Sequence, residues 1–195
     1  MALYHFSVRH VSRGKGQMVI ASAAYISGQR IFDSYYNKIH DYTSKSGVVF
    51  TEILTPEYVP ERLTDRETLW NEVEHVERNN KAQLAYSFDI ALQNELTLEE
   101  NIRLAKEFCQ EQFVARGMIV DLAIHEGKSD NEEEPDNPHF HVLVPIRPFT
   151  EEGIWGNKQR REYILDEDGN RVKDAKGKEM FNAVSTTGWN DPELL

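Results

Sequence analysis

The chain of 195 residues contains a single cysteine, Cys109. An internal disulfide is therefore excluded, and a lone thiol within an apparent helix fits a reducing, cytoplasmic setting. No apolar run approaches the roughly 18 residues that a membrane-spanning helix needs. The N-terminal segment also lacks the apolar stretch of a secretory signal. We therefore expect a soluble intracellular protein without a membrane partner.

Basic residues are scarce, since 22 Lys and Arg stand against 33 Asp and Glu, giving a formal net charge of −11. Proteins that bind nucleic acid broadly and without specificity are usually basic, so this composition argues against that class. Net charge describes the whole molecule, however, and a local basic groove is compatible with it. The 39% hydrophobic content is enough to build a core, and the length fits one domain with or without appendages.

Four segments alternate apolar and polar residues with the period of two that indicates β-strands. They cover residues 4–9, 83–92, 118–125 and 139–147, and their even-numbered side chains are predominantly apolar. One face of a sheet is therefore expected to pack on a core. The opposite face collects polar side chains: His5, Ser7, Arg9, Ser87, Asp89, Asp121, His125, His139, His141 and Arg147.

Two helices are predicted where a capping-box pattern precedes apolar residues spaced by three and four. One follows Thr64 and Glu67, and the other follows Thr97 and Glu100. A shorter helix of small residues is expected over residues 19–28, and a hairpin turn at Asp168-Gly169. The pattern predicts an α+β fold, a central antiparallel sheet with helices on one face and an open site on the other.

Three histidines are expected to converge on the polar face of this sheet. His139 and His141 are two residues apart and point the same way from a strand, and His125 ends the preceding strand with the same parity. An antiparallel pairing of the two strands would bring the three imidazoles together, which is the ligand set of an open metal site. The alternative is that the histidines are ordinary side chains on a solvated face.

Tyr25 lies in the short helix ASAAYISG, between residues with small side chains. A large group can therefore approach its hydroxyl closely. The alternative is a partly buried packing aromatic, which is the common use of such residues. A tyrosine nucleophile also needs activation by a base or a metal, because a phenol with the usual pKa of about 10 is protonated at neutral pH.

Taken together, the opening MALYHFSVRHVSRGKGQ, the helix SAAYISG and the run AIHEGKSDNEEEPDNPHFHVLVPIRP resemble the MobA/MobL (MobQ-type) family of plasmid mobilisation relaxases. More broadly they are similar to the HUH (His-hydrophobic-His) endonucleases, whose core is ferredoxin-like or RRM-like. The resemblance implies a single relaxase domain over residues 1–195, the N-terminal part of a longer protein. It also implies a bacterial cytoplasmic protein encoded on a plasmid or other mobile element.

The resemblance further implies a chemistry and its residues. Tyr25 matches the nucleophile that becomes linked to a 5′ phosphate, and His125, His139 and His141 match the ligands of one divalent metal. Manganese or magnesium is expected in function, while zinc, nickel or cobalt also suit three imidazoles. Asp89 stands where the family commonly has a glutamate, which gives it the role of a base or of an acid behind the metal ligands.

The implied partner is single-stranded DNA at an origin of transfer, next to a hairpin or duplex, with accessory relaxosome and coupling proteins. Phosphate contacts are expected from Arg9, Arg13, Lys15 and Arg147. Tyr35, Tyr36, Tyr42 and Trp155 could stack on unpaired bases, but for any single one of them an ordinary surface or core aromatic is the favoured interpretation. The acidic loop 128–138 would repel DNA and is expected to point away from the groove.

Two other functions fit the same residues. The first is a rolling-circle replication initiator that nicks DNA by the same chemistry. The second is a non-enzymatic module that binds single-stranded DNA and uses the histidines to hold a structural metal. Tyr35 and Tyr36 also compete with Tyr25 for the role of nucleophile, because they lie close to it in the sequence.

Overall fold

The computed structural model describes residues 5–127 and 136–190. These residues form nine strands and three α-helices, joined by short 3-10 turns at 13–15, 61–64, 114–116 and 188–190. In chain order the elements are β1 (Phe6–Ser12), α1 (Val19–Ser27), β2 (Arg30–Asp33), β3 (Lys38–Asp41), β4 (Val48–Leu54), α2 (Arg66–Val76), β5 (Gln83–Ala91), α3 (Leu98–Gln112), β6 (Val120–His125), β7 (His139–Pro145), β8 (Gln159–Tyr163) and β9 (Phe181–Ser185).

Five strands form the central antiparallel sheet in the order β1-β5-β7-β6-β4. All four predicted strands lie in it, so the predicted α+β class with a central antiparallel sheet is confirmed. The fifth strand, β4, is not predicted by alternation. Its seven side chains are all half-buried, because it contacts both α1 and α3 at the sheet edge, and it therefore shows no polar face.

The strand register confirms the predicted division into two faces. The even-numbered side chains of β6 and β7 are almost completely buried and pack against α3. They form one core cluster with the inner face of that helix and the residue that follows it: Leu122, Ile124, Phe140, Val142, Val144, Ala105, Cys109 and Phe113. Each large aliphatic side chain buried in this way contributes about 1.5–3 kcal/mol to folding.

The sequence led us to expect α2 beside α3 on the apolar face of the sheet. Instead, α2 lies with α1 on the opposite face, which carries His125, His139 and His141 and is called the histidine face below. The reason is Asp121, which is fully buried there. Its carboxylate accepts hydrogen bonds from Arg66 Nε at 2.9 Å and from Trp70 Nε1 at 2.8 Å, and both donors belong to α2. A second apolar cluster, which includes Trp70, Ala123 and Leu143, fills the space between these helices and the sheet.

The helix ends show how local sequence sets these elements. The predicted capping box of Thr97 and Glu100 is present at α3. At α2 the capping residue is Asp65 instead of Thr64, because the Asp65 carboxylate reaches Thr68 N at 2.8 Å. Helix α1 ends at Ser27, and it is capped by Gly28, whose φ of 63° favours glycine.

Two smaller antiparallel pairs flank the sheet, β2 with β3 and β8 with β9. The predicted turn at Asp168-Gly169 lies in the ribbon that joins β8 to β9, where Gly169 has a φ of 84°. The acidic loop expected to point away from DNA falls largely at residues 128–135, outside the described residues. No helix among the described residues is long and apolar enough to span a membrane.

Candidate metal and tyrosine site

Three histidines meet where β6 ends and β7 begins. His125 pairs directly with His139 across the two strands, and His141 lies two residues further along β7. The ring centroids are 5.2 Å apart for His125 and His139, 4.6 Å for His125 and His141, and 5.0 Å for His139 and His141. One nitrogen from each ring lies within 4.8 Å of the other two, a spacing that a single metal ion can bridge.

Backbone carbonyls orient two of the three rings. His125 Nε2 lies 2.7 Å from the carbonyl oxygen of Ile26, and His139 Nδ1 lies 2.7 Å from that of Asn137. A carbonyl oxygen only accepts, so the nitrogen facing it carries the proton. The lone pairs of His125 Nδ1 and His139 Nε2 are left as donors, which is how protein metal sites usually fix their imidazoles.

Burial favours the neutral form of two of the rings. It lowers the pKa of His125, and it lowers the pKa of His141 well below the ordinary value, with the neighbouring His125 adding to the effect. A neutral imidazole is the form that binds metal. The donor set therefore fits a divalent cation on geometry, tautomer and charge.

Tyr25 lies at the same place on the histidine face. Its side chain is 49% exposed, and it lines a cleft of about 650 Å³ together with all three histidines and Asp89. A second cleft of about 440 Å³ continues from Tyr25 along α1, over Ala21 and Ser22. The small neighbours expected from the sequence thus leave open space beside the ring.

Asp89 and Arg9 line both clefts. Asp89 lies on β5 directly opposite His141 of β7, and on its other side it faces Ser7 of β1. Arg9 is exposed on β1, one strand further out. The pairing of β1 with β5 therefore brings a carboxylate and a guanidinium to the histidine cluster.

Lys45 is a residue of this site that the sequence analysis missed. Its Nζ lies 3.1 Å from the carbonyl oxygen of Tyr25 and 3.7 Å above the centre of the Tyr25 ring. Tyr42 meets the same ring edge-on, with 5.4 Å between centroids. Both residues lie in the connection from β3 to β4, which shows no periodic pattern. The one sequence signal for this connection is the turn KSG before the apolar run VVF.

Two of the four basic residues expected to contact phosphate are engaged inside the protein. Arg13 is 8% exposed, and its guanidinium binds the Glu74 carboxylate and the Glu77 carbonyl oxygen. Arg147 binds the Glu77 carboxylate at 2.9 Å. Arg9 and Lys15 are exposed. The sequence could not separate these pairs, because Glu74 and Glu77 are more than 60 residues away along the chain.

The competing tyrosines, Tyr35 and Tyr36, lie in the turn between β2 and β3. The Tyr35 ring packs against His75 and carries the Arg13 guanidinium 4.5 Å from its centre. Neither tyrosine lines the clefts at the histidines. Burial, together with the charge of Glu74, raises the pKa of Tyr36 and makes that phenol a weaker candidate nucleophile.

Residues 17–195 match the MobA/MobL family. The chain belongs to this family. Among the relatives of this MobA/MobL chain is the conjugal transfer protein TraA of Agrobacterium fabrum, with 35% identity over 97% of the chain and 18% of TraA. A probable mobilization protein MobA of Bifidobacterium longum shares 36% identity over 88% of the chain and 30% of that protein.

The fold of this MobA/MobL chain also has a solved counterpart. A structure reported as "Molecular Basis of Vancomycin Resistance Transfer in Staphylococcus aureus" superposes with a TM-score of 0.78 at 34% identity, covering 99% of this chain and 84% of that one. The chain spans less than a third of the length of the two curated relatives described above.

Proposed function

We propose that this chain is the nicking domain of a MobA/MobL relaxase and that it works as an HUH-type endonuclease. It would cut one DNA strand at an origin of transfer and remain covalently linked to the 5′ end through Tyr25. The observation that carries the proposal is the meeting of three imidazoles, two of them oriented by backbone carbonyls, and an exposed tyrosine in one cleft. Membership of the family supports mobilisation over the alternative role in replication, since the relatives are described as conjugal transfer and mobilization proteins.

His125, His139 and His141 would hold one divalent cation. When bound, such an ion offsets the charge of a phosphodiester and orients it for attack. Manganese or magnesium is the proposed working metal on grounds of availability, while zinc, nickel and cobalt also suit the site. Three protein ligands leave coordination positions open, which distinguishes the proposed site from a closed structural metal.

Tyr25 would supply the nucleophile. Its phenolic oxygen forms a bond to phosphorus, the bond from phosphorus to the 3′ oxygen of the preceding nucleotide breaks, and that oxygen takes up a proton. Asp89 is the proposed base for the phenolic proton, since it lines both clefts that Tyr25 lines. The phosphotyrosine keeps the energy of the broken ester, so the strand can be rejoined without another energy source.

Single-stranded DNA beside a hairpin or duplex is the proposed substrate, with accessory relaxosome and coupling proteins as further partners. Arg9 and Lys15 are the proposed phosphate contacts, because both are exposed, Arg9 lines both clefts, and Lys15 directly precedes Gly16, which lines one of them. Arg13 and Arg147 are not proposed as phosphate contacts, since their guanidinium groups bind Glu74 and Glu77. The chain itself is proposed to be one domain of a longer protein.

The test is cleavage of a labelled oligonucleotide carrying the native origin, with Mn²⁺ or Mg²⁺ present. Tyr25→Phe should abolish cleavage and the covalent adduct while DNA and metal still bind, because only the hydroxyl is lost. Tyr36→Phe, a matched change in the β2–β3 turn, should cleave like the unmodified protein. Metal-dependent DNA binding with no nick and no adduct would instead support the non-enzymatic module.

A further inference from the structure

The loop from β3 to β4 is folded against the helix that carries Tyr25. Tyr42 N donates to the carbonyl oxygen of Gln29 at 3.2 Å, just beyond the end of α1, and Lys45 N donates to that of Tyr42 at 2.9 Å. Gly28 closes the helix so near to β4 that a Cβ there would lie 3.2 Å from Val48. The backbone of the loop is therefore fixed relative to α1, and this fixes the position of Lys45.

That position is above the face of the Tyr25 ring. The Lys45 ammonium lies 3.7 Å above the ring centre and 3.1 Å from the carbonyl oxygen of the same residue. An ammonium over an aromatic face is attracted by the negative face of the ring, and more strongly where water is partly excluded. Lys45 is only partly exposed and lines the cleft that contains the histidines. One cation thus holds both the ring and the backbone of a single residue.

A second aromatic ring also contacts Tyr25. Tyr42 meets the Tyr25 ring edge-on at an interplanar angle of 89°. A half-exposed tyrosine on a helix would otherwise move between rotamers within nanoseconds. With a cation on its face and a second ring against it, Tyr25 is restricted to one orientation before any substrate arrives.

We propose that Lys45 is a positioning residue for Tyr25, which it holds with the hydroxyl directed into the histidine cleft. This role rests on the proposed function, in which Tyr25 is the nucleophile. Misplacing a reacting group by about 1 Å can cost about 100-fold in rate, so a loosely held tyrosine would react slowly even with DNA and metal in place. Because the Lys45 ammonium contacts the ring and the carbonyl oxygen of Tyr25, we expect its loss to lower the rate of cleavage and to leave the affinity for DNA unchanged.

The experiment has one arm that needs no DNA. The full chain is labelled with 3-fluorotyrosine, and the Tyr25 resonance is identified by its loss in Tyr25→Phe. Lys45→Met should shift and sharpen that resonance, since the ring becomes free to move, whereas Lys45→Arg should keep it close to its original position. Lys38→Met removes a matched exposed lysine from β3 and should leave the Tyr25 signal unmoved.

The second arm measures cleavage in a single turnover at saturating origin oligonucleotide, alongside the Kd for DNA. Lys45→Met should lower the rate at saturation by about 10-fold or more, leave Kd unchanged, and be largely rescued by arginine. An unmoved Tyr25 resonance would overturn the proposal, as would a weaker Kd with an unchanged rate at saturation, which would make Lys45 a phosphate contact.

The two arms separate this inference from the proposed function. If the unmodified protein does not cleave, or if Tyr25→Phe still cleaves, the proposed function fails whatever Lys45 does. If cleavage and the Tyr25 adduct are present and Lys45→Met matches the unmodified protein in rate and spectrum, only the role of Lys45 fails.

Discussion

His125 at the end of β6 donates a hydrogen bond from Nε2 to the carbonyl oxygen of Ile26 in α1, at 2.7 Å. Ile26 directly follows Tyr25, so this bond ties one member of the histidine cluster to the helix that carries the tyrosine. It also decides which nitrogen of His125 faces the other two rings. One contact between a strand and a helix thus orients one of the proposed metal ligands and links it to the helix that carries the proposed nucleophile.

The tautomers predict which substitutions preserve metal binding. An asparagine side chain places its amide oxygen near the position of histidine Nδ1, and a glutamine near that of Nε2. His125→Asn should therefore bind metal better than His125→Gln, while His139→Gln should bind better than His139→Asn. The poorer variant of each pair should lose at least the ~10–100-fold in affinity that loss of an outer partner costs.

Calorimetric titration with Mn²⁺ checks this order, and far-ultraviolet circular dichroism confirms that each variant is folded. The same order at both positions, or unchanged affinity in all four variants, would contradict the assignment of the ring nitrogens.

The salt dependence of DNA binding should separate the exposed Arg9 and Lys15 from Arg147, which is only partly exposed and is held in an ion pair. The affinity for single-stranded DNA is expected to fall with salt, with a log–log slope of about −0.7 per phosphate contacted. Arg9→Met and Lys15→Met should each make the slope less negative by about 0.7, because each removes one phosphate contact. Arg147→Met should leave the slope unchanged, because its guanidinium binds Glu77. Fluorescence anisotropy at several salt concentrations measures this, and a full slope in Arg9→Met would remove Arg9 from the interface.

Arg13 should matter for stability. Glu74 is fully buried, its pKa is raised by that burial, and Arg13 contacts its carboxylate at 2.8 Å. Arg13→Met leaves this carboxylate without its partner and should lower the free energy of unfolding by about 3–5 kcal/mol. Urea denaturation measures the loss, and adding Glu74→Gln should restore part of it.

The control for this prediction is Arg160→Met. Arg160 pairs with Glu162 at 2.6 Å, but both side chains are more than half exposed. Such a surface pair contributes about 0–1 kcal/mol. Equal destabilisation by the two substitutions would mean that burial of the Arg13–Glu74 pair is not what makes it important.

Cys109 should be unreactive until the protein unfolds. The side chain is completely buried on α3, and burial raises its pKa to about 12. At pH 8 the folded protein would hold a thiolate fraction of roughly 10⁻⁴, against about a quarter in an unfolded chain with the usual pKa of 8.5. Ellman's reagent should therefore react with the native protein only at its rate of opening, and much faster in urea. Rapid labelling of the native protein would show that the α3 core opens readily.

The sequence by itself determined the features that depend on local periodicity. Alternation along β5, β6 and β7 decided which side chains share a face, and so it selected His125, His139 and His141 together with Asp89. The small residues around Tyr25 and the capping box at Thr97 are equally local, because the geometry of a helix decides which neighbours a residue meets.

The tertiary structure alone decided the contacts between distant segments. The order β1-β5-β7-β6-β4 brings Arg9 and Asp89 to the histidines, and Asp121 draws α2 onto the histidine face through Arg66 and Trp70, more than 50 residues away along the chain. Glu74 and Glu77 likewise form ion pairs with Arg13 and Arg147, so these two arginines are not available to bind phosphate, which the sequence does not reveal. The position of Lys45 over Tyr25 follows from how an aperiodic loop packs on α1. Periodicity says which way a side chain points from its own element, but the identity of its partner depends on how the elements pack together, and no local pattern encodes that.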